Sequence, residues 1–287
     1  LVILVSLYAV LPGRGDPSTG PAIAWGICGH PTWSDYADWV PANTEMEIGY
    51  LRQLGCTYYR CSFEGHNEPQ ALDMVVPDAQ AAGITVLPDL PLHIVAQSDA
   101  KTNYDHNYQT AFNWARYAIS HHYQLPYWEV GNELENWNLV RVVYDGTAPD
   151  EFPDKVPGGF TAMVASLNGA YHGVQDAFAA GRQQGETTIV PKVLFGCCYL
   201  HWGLLTKIQK ANGRLPCDII SWHWYEPNCG LFTAPIKDSH SFCRNRSPAE
   251  CLADFKNPAD PTQPMDVWIT ELNRSVHTSG HYDNGSV

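Results

Sequence analysis

From residue 23 onward, short and almost wholly apolar runs alternate with longer stretches in which apolar residues return every three or four positions. IAWGIC (23–28) predicts a strand. Thr44 and Glu47 are spaced as a capping box ahead of EMEIGYLRQLG, where Met46 or Ile48, Leu51 and Leu54 share a helical face and Gly55 ends it. CTYYRCSF (56–63) predicts a second strand, and EPQALDMVVPDAQAAG (68–83) a second helix kinked at Pro77. ITVLPDLPL (84–92) is the third strand, followed by a helix over NYQTAFNWARYAISHHYQ. YWEV, at the head of YWEVGNELENWN (127–138), is the fourth, and a Pro/Gly/Asp-rich loop covers about residues 136–160. TAMVASLNGAYHGVQDAFAAG then places Met163, Leu167, Ala170, Val174 and Phe178 on one side of a helix. TIVPKVLFGC (188–197), a helix over WGLLTKIQKANG, CDIISWHWY (217–225), a long loop at 226–263 and MDVWITELN (265–273) complete the series.

Strands that are apolar on both faces, each followed by a helix, belong to a parallel sheet covered by helices. Seven such units in succession favour a (β/α)8 TIM barrel over a doubly wound sheet. WGICGH follows the first strand where a dinucleotide fold would carry G-x-G-x-x-G. Residues 23–287 are thus expected to form one α/β barrel domain. The 14 residues after Asn273 are too few for a helix and closing strand, which need roughly 25. The barrel is therefore expected to lack its last β/α unit. A piece of a longer chain explains this best, with a natural variant barrel or completion by a partner as alternatives.

LVILVSLYAVLPGRGDPSTGPA (1–22) puts an apolar run too short to span a bilayer before a Gly/Pro/Ser stretch. It is read as the remnant of a secretory signal or membrane anchor with its linker, an apolar first strand being the alternative. The net charge of −13 argues against nucleic acid or anionic membrane as a partner. Nine cysteines suit an exported protein with some disulfides, such as a loop staple from Cys229 to Cys243. No C-x-x-C pair or His/Cys ladder has zinc spacing, and His121-His122 ends a helix. Neither metal nor organic cofactor is implied.

Barrel chemistry sits just past the C-terminal ends of the strands. Those positions hold His30, Arg60 with Glu64, Asp89 with His93, Asn132 with Glu133, His223 with Tyr225, and Glu271 with Asn273. Two strands, WEVGNELE and WITELN, end in a carboxylate. Carboxylates on separate strands of one barrel can face each other across its mouth. A pair about 5–5.5 Å apart can cleave a glycosidic bond with retention, one as nucleophile and the other as acid and then base. Their environments must differ, and Arg60 and Tyr225 are the donors placed to keep Glu271 ionised.

Arg60, Asn132-Glu133, His223-x-Tyr225 and Glu271 resemble, in order and strand spacing, the signature of clan A glycoside hydrolases across about residues 23–273. That resemblance, nearest to the family 5 and family 39 members, implies a retaining (β/α)8 enzyme of cellulase-like or xylosidase-like kind. It implies Glu133 as acid/base and Glu271 as nucleophile, with Tyr225 hydrogen-bonded to the nucleophile and Arg60 beside it. Asn132, His93, His223 and Trp137 become candidates for sugar binding, Trp137 being the preferred stacking residue.

Other assignments stay open on sequence alone. Glu135 can replace Glu133 as the acid. Asp89, His93, His30 and Trp33 can be structural or can touch sugar, and Trp222 and Trp224 can pack beneath the outer helices. The expected function is a secreted hydrolase acting on β-linked polysaccharide or oligosaccharide, with carbohydrate as partner. A non-catalytic carbohydrate-binding barrel is its rival. An aldolase using Lys192 is a remote third.

Overall fold

A computed structural model describes residues 4–8, 24–29, 41–63, 68–226, 235 and 245–274. Among these, seven parallel strands run in sequence order: β2 (Ala24–Gly29), β3 (Tyr58–Ser62), β4 (Thr85–Leu90), β5 (Tyr127–Val130), β6 (Lys192–Cys198), β7 (Ile219–Glu226) and β10 (Asp266–Arg274). Helices α1 (Pro41–Gln53), α2 (Val76–Ala81), α3 (Ala100–Ser120), α4 (Gly159–Gln183) and α5 (Trp202–Asn212) alternate with them. The sheet curls into an incomplete (β/α)8 TIM-barrel-like fold, as the alternation predicts. A further strand, β1 (Leu4–Tyr8), runs antiparallel to β2 and also touches β10. It lies in the segment read as an export remnant. No helix of the described residues is long and apolar enough to cross a membrane.

Helix boundaries depart from expectation where proline or a cap outranks apolar spacing. α1 begins at Pro41, ahead of the expected Thr44 cap, because proline suits a first helical position. Pro77 starts the short α2 instead of kinking a longer helix, and a 3-10 turn over Pro69–Met74 precedes it. α3 begins at Ala100, where the Asp99 carboxylate accepts the Thr102 N–H (2.8 Å). The predicted loop at 226–263 contains α6 (Pro248–Leu252), capped by Ser247 and Glu250, and the hairpin of β8 (Lys256–Asn257) and β9 (Asp260–Pro264). Cys229 and Cys243 lie outside the described residues. Cys28, Cys56, Cys61, Cys197, Cys198 and Cys217 are free thiols, so none of these six supplies the disulfides expected among the nine cysteines. All but Cys56 are buried.

The main core fills the space between sheet and helices. Trp128 of β5 meets Phe178 of α4 edge-on (6.0 Å), and Trp222 of β7 lies 6.4 Å from Trp202 of α5. Trp222 and Trp224 therefore pack outward beneath the helices, as strand alternation requires. Inside the sheet is a second, smaller apolar cluster of Leu87, Leu194 and Ile219 against Tyr127 and Trp268. Tyr58 joins it, 6.1 Å from Tyr127 and 5.7 Å from Trp268. These rings form a floor near the strand N-termini, and polar side chains occupy the interior above them.

α3 and α4 approach closely because Gly169 and Gly173, one turn apart on α4, face α3 backbone. A Cβ at these positions would stand 2.3 Å from the Tyr104 carbonyl oxygen and 2.4 Å from that of Tyr108. Gly173→Ala should cost about 1–3 kcal/mol through overpacking, although alanine is the better helix former. Gly49→Ala on α1, where a Cβ meets nothing within 4 Å, should instead stabilise by about 1 kcal/mol. Urea midpoints of the two variants should move in opposite directions.

Candidate active site

The site grows from one buried cation. Arg60 points inward from the middle of β3 and is fully buried. Its Nε donates to Glu129 Oε2, its Nη1 to Glu271 Oε1 (2.7 Å) and Cys28 Sγ (3.1 Å), and its Nη2 to Asn132 Oδ1 (2.9 Å). Asp89 Oδ2 stands 3.7 Å from Nη2. A guanidinium carries five donors in a rigid plane, so these acceptors are fixed relative to one another.

Glu129, a buried carboxylate in the middle of β5, is the residue strand-end logic missed. Its Oε1 accepts from the Ser221 hydroxyl, which also lies 2.5 Å from Thr270 Oγ1. The signal in the sequence was the lone acid inside YWEV, since an unpaired charge within a buried strand is not tolerated. Cys28, near the end of β2, was passed over as one more apolar strand residue. Burial, partly countered by Arg60, pushes its thiol up to about 12, so it remains a neutral neighbour of Glu271.

The two strand-end glutamates converge. After Gly131 (φ 78°), Glu133 itself adopts a left-handed backbone (φ 47°, ψ 52°), uncommon for a residue with a Cβ. On β10 the register slips between Ile269 and Glu271, so Thr270 is an extra residue and Glu271 comes opposite His223. Such a bulge re-aims the side chains that follow it. Glu133 Oε1 is 2.9 Å and Glu271 Oε2 3.5 Å from His223 Nδ1. One oxygen of each carboxylate and a His223 nitrogen all lie within 4.8 Å of one another. Asn136 Nδ2 donates to Glu133 Oε2 (3.0 Å). His223 is buried, and burial disfavours its charged form. The Glu271 charge and the Glu133 hydrogen bond outweigh that and raise its pKa above the usual histidine value.

Arg60, Asn132, Glu133, His223 and Glu271 are thus brought together. Glu135 is turned away toward the end of β6, where Oε1 accepts the Cys198 N–H (2.7 Å) and lies 3.2 Å from His201 Nδ1. His93 is exposed with its ring 4.9 Å from His106, and Trp137 is half-buried against the outer core. Neither joins the hydrogen-bonded group around Arg60. Asp89 is buried in that group, as a structural partner of Arg60. Lys192 is exposed at the start of β6, at the opposite end of the strand from the carboxylates. His30, Trp33, Glu64 and the side chains of Tyr225 and Asn273 lie outside the described residues.

No protein-family model and no curated protein matches the chain. Solved structures of glycosidases align with part of the chain. A fungal β-1,4-galactanase shares 14% identity over 62% of this chain and 55% of its own, with a TM-score of 0.43. The GH53 catalytic domain of Ignisphaera aggregans shares 15% over 62% and 51%, also at 0.43. A β-glucosidase from Exiguobacterium marinum shares 11% over 64% and 55%, at 0.36. The chain therefore spans about half the length of these structures.

Two outcomes follow from the geometry. Glu129→Leu leaves Arg60 buried without its innermost partner and should cost about 3–5 kcal/mol in chemical denaturation. His223 gains its proton more readily when folded, so its contribution to stability is complete below the unfolded pKa of about 6.5 and is lost as pH rises through the higher folded value. Denaturation midpoints of the parent should fall across that window more steeply than those of His223→Gln.

Proposed function

We propose that this protein is a retaining glycoside hydrolase acting on β-linked sugars, cellulase-like or xylosidase-like in substrate, secreted, and working without a cofactor. The observation that carries the proposal is the convergence of Glu133 and Glu271, from β5 and β10, to oxygens within 4.8 Å of each other. Retaining pairs stand about 5–5.5 Å apart, whereas inverting pairs are about 6.5–9.5 Å apart to admit a water.

The neighbours divide the roles. Glu271 has the guanidinium of Arg60 at 2.7 Å and is the nucleophile. Glu133 sits beside the imidazole of His223 at the more exposed end of the pair, and is the acid. Glu133 protonates the departing glycosidic oxygen while a Glu271 oxygen bonds to the anomeric carbon. Glu133, now a carboxylate, takes a proton from water, whose oxygen displaces Glu271 and frees the sugar. His223 bridges the two acids and holds them in register. Asn132 spends Oδ1 on Arg60, which directs its Nδ2 donors to a sugar hydroxyl.

A panel of aryl β-glycosides decides the matter. Glu271→Ala should lower turnover by about 10³-fold or more, and azide, small enough for the vacated carboxylate space, should restore part of it. Equal rates for parent and variant would instead indicate a carbohydrate-binding barrel without catalysis.

A further inference from the structure

Beside the proposed acid is a second cluster that the hydrolase chemistry does not use. Glu135 follows Glu133 by two residues, Cys198 ends β6, and His201 stands just ahead of α5. Glu135 Oε1 is 3.2 Å from His201 Nδ1, Cys198 Sγ is 3.9 Å from that nitrogen, and the three ligand atoms lie within 4.8 Å of one another. Four ligands at about 2.0–2.3 Å around a tetrahedral zinc are separated by roughly 3.3–3.7 Å, close to these spacings.

A hydrogen-bonded carboxylate pinning a loop would account for Oε1 alone, through the Cys198 N–H and the His201 ring. It leaves Glu135 Oε2 unexplained. That oxygen is buried with no hydrogen-bond partner, on a residue only 4% exposed. Orphaned buried carboxylate oxygens are costly and rare. A cation held by this carboxylate, the thiol sulfur and the imidazole nitrogen would offer that oxygen a partner.

We propose that Glu135, Cys198 and His201 form a binding site for a zinc-class divalent cation. The donor set of one thiolate, one imidazole and one carboxylate is borderline-soft, which selects zinc and its neighbours over magnesium or calcium. Three protein ligands leave a fourth position for water. Binding displaces the Cys198 thiol proton to solvent and ties the loop after β5 to the turn between β6 and α5. Asn136 Nδ2 reaches from Cys198 Sγ (4.0 Å) to Glu133 Oε2 (3.0 Å), so an ion here stands one amide away from the proposed acid. The proposal does not depend on the hydrolase assignment. The sequence carries its trace as Cys198-x-x-His201, two of three ligands, the third lying 63 residues upstream of Cys198.

Cobalt(II) titration of the reduced, chelator-treated protein provides the test. The expected result is one equivalent bound with a thiolate-to-cobalt charge-transfer band and the intense visible bands of four-coordinate cobalt, displaced by zinc. Cys198→Ser should abolish the charge-transfer band, and His201→Ala should weaken binding by more than about 100-fold. Cys197→Ser and Glu133→Gln should retain both. Absence of stoichiometric binding by the folded parent would overturn the proposal. So would binding without the thiolate band, which assigns the ion to Glu133, His223 and Glu271 instead. Should Cys198→Ser not fold, the parent spectrum and partly exposed His201→Ala still decide.

Discussion

A guanidinium sealed inside the sheet organises everything above it. Arg60 connects β3 to β2 through Cys28, to β5 through Glu129, to the turn after β5 through Asn132, and to β10 through Glu271. Removing an arginine from water costs several kcal/mol, recovered only when its donors all find acceptors in the right plane. The strands must therefore keep their relative heights, and the bulge at Thr270 is part of that fit. Were the strand regular, Thr270 would stand opposite His223, Glu271 would turn to the opposite face beside Trp224, and Arg60 would lose a carboxylate.

The same constraint explains why two acids of like charge can stand so close. Their repulsion is relieved from two sides, by the guanidinium at Glu271 and by the imidazole of His223 between them. Strain in the backbone of Glu133 is offset by this cluster and by Asn136. The rim is thus rigid for reasons that originate well below it, in Glu129, Ser221 and Thr270.

Apolar runs and helical spacing made the barrel legible, because burial on both faces of a strand leaves a compositional mark. Glu133 was legible just past the end of β5, and Arg60, His223 and Glu271 were legible as polar residues that interrupt the apolar runs of β3, β7 and β10. Glu129 was not, because attention to strand ends passes over a charge in mid-strand whose neutralising partner comes from another unit. The Thr270 bulge left no local mark either, as it arises from pairing with β7. His93 and Trp137 were placed correctly at loop positions, yet loop direction depends on packing against α3 and the outer core, which spacing does not encode. Helix starts failed at Pro41 and Asp99 because capping chemistry acts at single residues, where apolar periodicity is silent.

The Tyr58, Tyr127 and Trp268 rings have a consequence for traffic. They stop the lumen at one extremity, making it a blind well with its polar residues near the opening. Among the described residues, the carboxylates are therefore approached from the extremity away from these rings.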